Sequence, residues 1–144
     1  QGRIGQMKVV VQAIEDLRQG KFGSEFEPYR HVGIVVIGDY NLVGSRTPLD
    51  MLTDAAGPGL QHWLLPNLIG ESVATWRQND SSFPPGLLDL VTYSPGRLVP
   101  RNGFVLDTGH LNEEELAKLG VKVKDSLVSD HLMLVADFAI SEPD

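Results

Sequence analysis

Three short stretches carry side chains able to do chemistry. Gly38-Asp39-Tyr40-Asn41 closes the apolar, β-branched run Val32 to Ile37, and such a run reads as a strand buried on both faces. Its carboxyl end delivers a carboxylate and an amide, and desolvating a carboxylate is costly unless a cation or a hydrogen-bond donor meets it. Leu87-Leu88-Asp89-Leu90-Val91-Thr92-Tyr93 sets one acid in a second apolar strand, and Ser129-Asp130-His131 opens a third, Leu132 to Phe138. Asp89 and His131 would each be costly to bury alone, and each is a natural partner for the other. A carboxylate accepting from one ring nitrogen fixes the imidazole tautomer and favours the imidazolium. The plain readings stand beside these: Gly, Asp and Asn are ordinary turn formers, and an Asp–His pair can be purely structural. With no cysteine in the chain, any metal must be held by oxygen or imidazole, which suits hard divalent ions such as Mg²⁺, Mn²⁺ or Ca²⁺.

The elements that must position these residues can be read around them. Ile4, Met7, Val10, Val11, Ile14 and Leu17 fall on one helical stripe that ends near Gly20. Gly20 to Arg30 is polar and reads as a surface loop, with His31 at the mouth of the following strand. Thr47-Pro48 suggests an N-cap followed by proline at the first helical position. Leu60 to Leu65 reads as a strand or an irregular loop in which His62 packs beside Trp63, and Val73 to Arg77 as a strand. Phe83-Pro84-Pro85-Gly86 is a rigid turn feeding the Asp89 strand. Leu98 to Leu106 is strand-like around an Arg101-Asn102-Gly103 turn. Asn112 and Glu115 make a capping box for a helix that stops at Gly120, preceded by a solvent-facing His110. The order helix, strand, helix, several strands, helix, strand points to an α+β architecture rather than a parallel doubly wound sheet.

The totals constrain partners more than they define them. The chain's 144 residues suffice for one domain with a sizeable core. A net charge of −7 argues against a broad basic face that tracks nucleic acid, although a bound cation can reverse the local field. No apolar run reaches the length of a membrane span and no secretory h-region is visible. The chain begins with Gln1, so the compartment stays open.

Taken together, Gly-Asp-Tyr-Asn, the Asp89 strand and Ser-Asp-His before a last strand resemble the endonuclease/exonuclease/phosphatase superfamily, the deoxyribonuclease-I-like metal-dependent phosphoesterases. Thr75-Trp76 ahead of the Asp89 strand keeps the same order, and Tyr40 stands where phenylalanine is more usual. The resemblance implies that residues 1–144 are the C-terminal portion of a single four-layer α/β-sandwich domain, a mostly antiparallel mixed sheet with flanking helices. The N-terminal half, with a metal-binding glutamate, would be absent. It further implies that Asp39 orients or deprotonates the attacking water and that Asn41 holds the phosphate. Asp130, with Asp39 and the missing glutamate, would bind a divalent metal, most simply Mg²⁺. His131, held by Asp89, would contact the scissile phosphate. Arg77 is a further candidate for a phosphate contact, a solvated arginine being the other reading.

The expected activity is therefore metal-dependent hydrolysis of a phosphate ester, diester or monoester, by an activated water. The partners would be that ester and the missing half of the domain. The alternative is a non-catalytic remnant or binding module that keeps the fold without a complete metal site.

Overall fold

The computed structural model describes residues 2–78 and 80–141. Helix α1, Arg3–Arg18, and the short α2, Thr47–Thr53, cover one face of a three-stranded antiparallel sheet of β1 (Val35–Asp39), β2 (Gln61–Trp63) and β3 (Asp89–Tyr93), ordered β1-β3-β2. Met7 and Ile14 of α1 meet Leu49 and Leu52 of α2, with Tyr40, Leu60 and Leu90 completing this cluster. A second, two-stranded antiparallel sheet pairs β4 (Leu98–Leu106) with β5 (Met133–Ile140). It packs on the opposite face of the first sheet, where Leu65 and Val91 meet Val105 and Leu132. Phe138 sits against both Trp63 and Tyr93, with ring centroids 5.4 Å apart in each pair. The fold is α+β, as the element order implied.

Side-chain alternation decides which face each residue serves. In the β1–β3 ladder Val35 opposes Tyr93, Ile37 opposes Val91 and Asp39 opposes Asp89. These residues share the face turned to the second sheet, whereas Val36 and Leu90 face the helices. All five residues of β3 are buried, because it is the central strand. The strand ending in Asp39 is not buried on both faces: Val35 is 40% and Ile37 50% exposed. Its position at the sheet edge, beyond the cover of β4 and β5, is the reason.

Several local expectations also change. The stretch 73–77 is not a strand: it contributes the isolated bridges of Trp76 to Gly86 and to His131. The polar stretch after Gly20 contains a short 3-10 helix, Ser24–Tyr29. Thr47 is not the cap of α2 but its first residue, which makes Pro48 the second; Arg46 holds the cap position without a side-chain capping bond, and the Ser45 hydroxyl accepts the Thr47 amide at 3.2 Å. Arg101-Asn102-Gly103 is not a chain-reversing turn but a bulge in β4, with the register shifting between Pro100 and Gly103. Gly103 permits a close approach there, since a Cβ would lie 2.6 Å from both the Leu65 side chain and the Trp63 ring. The capping box of Asn112 and Glu115 forms in α3, Glu113–Leu119, and Gly120 closes it in the left-handed region at φ 67°.

Candidate active site

The antiparallel register brings the end of β1 beside the start of β3, so Asp39 and Asp89 face one another across the ladder. His131 precedes β5 and reaches the same place: its Nδ1 lies 2.7 Å from Asp89 Oδ2, although 42 positions separate them in the chain. An ionised carboxylate only accepts, so Nδ1 carries the proton and Nε2 is left free to meet a ligand. Asp89 is buried and His131 half-buried. The imidazole pKa is raised above its ordinary value, first by the Asp89 hydrogen bond and further by the charges of Asp89, Asp39 and Asp130, with burial opposing. Three carboxylates therefore act on one imidazole.

Each neighbour is locally fixed. Asp39 Oδ1 accepts from the Asn41 amide at 2.7 Å, a tight turn that sets Asn41 at φ 47°, a conformation asparagine tolerates better than most residues. Arg3, at the start of α1, donates to the Asn41 carbonyl and, at 3.1 Å, to the Val43 carbonyl, clamping this loop. Asp39, Asn41, Arg3 and Gln6 line a cavity of about 300 Å³. Asp130 is exposed, and its Oδ2 accepts from the Trp76 indole at 2.9 Å, which holds its pKa below the ordinary value. The Ser129 hydroxyl accepts the His131 amide at 3.0 Å, so the Ser-Asp-His stretch is a closed turn.

The sequence alone assigns Thr75 and Trp76 no chemical role, yet they join the two halves of this arrangement. The Thr75 hydroxyl accepts from the amides of Leu88 at 3.0 Å and Asp89 at 2.8 Å. The Thr75 carbonyl accepts from Leu132 at 2.7 Å and the Arg77 amide donates to the Asp130 carbonyl at 2.8 Å. One short segment thus registers Asp89 against Asp130 and His131. The signal in the sequence was the Thr-Trp pair just upstream of the Asp89 strand. Arg3 left no signal at all, since its target is 38 positions away.

The Arg77 guanidinium is paired with Asp107 Oδ1 at 2.7 Å, while the residue lines a pocket with Ser129 and Asp130. His31 and His110 are exposed and stand apart from the cluster. His62 packs beside the core, where burial lowers its pKa. Among the described residues no group of three or more His, Asp or Glu side chains is placed to hold a metal ion. The donor chemistry still fits a hard cation, because Mg²⁺ is commonly held by only one or two carboxylates with waters and substrate phosphate completing its shell. Asp39 and Asp130 are exposed carboxylates of that kind.

Comparison with known protein families, curated proteins and solved structures finds no match. No helix among the described residues is long and apolar enough to cross a membrane.

Proposed function

We propose that this chain carries part of the active site of a divalent-metal-dependent phosphoesterase of the deoxyribonuclease-I-like kind, within a four-layer sandwich of which residues 1–144 form the C-terminal portion. The observation that carries the reading is the His131 imidazole held by Asp89, with Asp39 opposite Asp89 in the ladder and Asp130 next to His131 in the chain. Phosphate-ester hydrolysis needs charge neutralisation on the non-bridging oxygens, a positioned water and donors for developing charge. Asp39 and Asp130 would hold the cation, which supplies that charge neutralisation and lowers the pKa of a bound water.

The chain's own residues do the rest. Asp89 holds the imidazole through Nδ1, so that Nε2 of the imidazolium donates to a phosphate oxygen. The amide group of Asn41 contacts the phosphate. Asp39 accepts a hydrogen bond from the attacking water and takes its proton as the new bond to phosphorus forms; the ester P–O bond opposite it breaks, and the alcohol oxygen leaves with a proton taken from solvent. The Trp76 indole keeps Asp130 ionised and aimed.

The test is a panel of phosphodiesters and phosphomonoesters assayed with the full-length protein and Mg²⁺, Mn²⁺ or Ca²⁺. Turnover should appear with a divalent ion and vanish with EDTA. Activity that survives exhaustive chelation counts against the reading. Binding of the esters without turnover in any metal would favour a non-catalytic binding module.

A further inference from the structure

A second cluster of charge lies at the other end of the sheet. Arg18 at the end of α1, Arg30 and His31 ahead of β1, and Arg97 after β3 line a pocket of about 480 Å³ together with Gly59 and Ser94. Small-ligand sites run from about 300 to 1,000 Å³, so the size suits a compact ligand. No Asp or Glu is among its lining residues, in a chain whose net charge is −7.

The guanidiniums are held in place largely by neutral groups. Arg18 donates to the Pro58 carbonyl at 2.8 Å, and Arg30 Nε donates to the Arg18 carbonyl at 3.0 Å. Among the described residues, the acid that pairs with them is Glu27, on Arg30 at 2.6 Å. Arg97 is half-buried and makes no side-chain hydrogen bond among the described residues. Like charges gathered in one pocket repel, and a multivalent anion relieves that repulsion. Guanidinium forks match phosphoryl oxygens bidentately, and three of them exceed what a single carboxylate can engage.

We propose that this pocket is a binding site for a small multivalent phosphate, of pyrophosphate type, separate from the Asp89–His131 cluster. Asp89 opens β3 and Ser94 follows its last residue, which separates the two places by on the order of 17 Å at strand spacing. The site involves no metal and stands whether or not the chain hydrolyses phosphate esters.

The experiment is calorimetric titration of the protein with pyrophosphate in EDTA, against malonate as a carboxylate control, with amide shifts followed by NMR. Pyrophosphate should bind more tightly than malonate, weaken with added KCl and shift the amides of Gly59 and Ser94. Arg97→Gln, at a side chain that braces nothing else, should weaken binding by about tenfold or more while the melting temperature holds. Asp89→Asn should leave pyrophosphate affinity unchanged, which separates this pocket from the strand-end cluster. No binding up to about 10 mM, equal affinity for malonate, insensitivity to Arg97→Gln, or loss of binding in Asp89→Asn would each overturn the proposal.

Discussion

At the scale of single residues, the Asp89–His131 contact has consequences that separate a working pair from a structural one. Asp89→Asn keeps the shape but lets an amide donor face Nδ1, which favours the other imidazole tautomer. Under the proposed phosphoesterase reading, turnover per folded molecule is expected to fall by at least about 10²-fold, since a cation held by Asp39 and Asp130 would still carry part of the charge. A purely structural pair would instead lower stability and leave that rate nearly unchanged. The same contact predicts a titration. Because the folded-state pKa of His131 is raised, the folded protein holds this proton more tightly than the unfolded chain does. The associated stabilisation is fully present below about pH 6.5, the ordinary histidine value, and fades as pH climbs through the raised folded midpoint. An NMR titration of the His131 ring should give a midpoint above the ordinary value, moving down in Asp89→Asn.

At the scale of elements, the segment Thr75-Trp76-Arg77 is neither helix nor strand, yet it aligns two strand starts. The Thr75 hydroxyl, 1% exposed, serves two backbone amides at the entry to β3. Thr75→Val preserves size and removes the acceptor, leaving two N–H groups without a partner. The cost is expected to be about 2 kcal/mol or more, since each buried unsatisfied donor costs about 1–3 kcal/mol. Urea unfolding measures it, and Thr75→Ser, which keeps the oxygen, should lie near the parent. A small loss in Thr75→Val would mean that water satisfies these amides and that Asp89 is positioned by the sheet alone.

At the scale of the whole molecule, the two sheets cover one another unequally. The second sheet reaches β3 and β2 but leaves Val35 and Ile37 of the edge strand β1 exposed on the face turned towards it. An edge strand with free backbone groups and apolar side chains is a template for pairing with another chain. Residues 1–144 on their own should therefore self-associate as concentration rises, by sedimentation velocity. Ile37→Lys should shift the distribution towards monomer with the circular dichroism spectrum unchanged. A parent chain that stays monomeric at high concentration would show that β1 is protected in some other way.

How much of this was legible beforehand follows from which forces are local. The stripe of α1, the capping box of α3, the strand character of β3, β4 and β5 and the acids at strand ends all come from hydrophobic period, capping chemistry and short-range sterics, which act within a few residues. The partnership of Asp89 with His131 was also readable, because two polar groups set in apolar strands need each other wherever the chain brings them. Other features depend on neighbours far along the chain. β1 reads as doubly buried because its run is apolar throughout, but burial depends on what covers a strand, and the topology puts β1 at an edge. Segment 73–77 has strand composition yet makes only isolated bridges, because its hydrogen bonds go to Gly86 and to residues 130–132 rather than to one continuous partner strand. Arg77 turned to Asp107 and Arg3 to the loop after Asn41 for the same reason. The sequence determined which residues seek partners; only the tertiary structure decided which partners they meet, because long-range contacts depend on how the chain closes on itself.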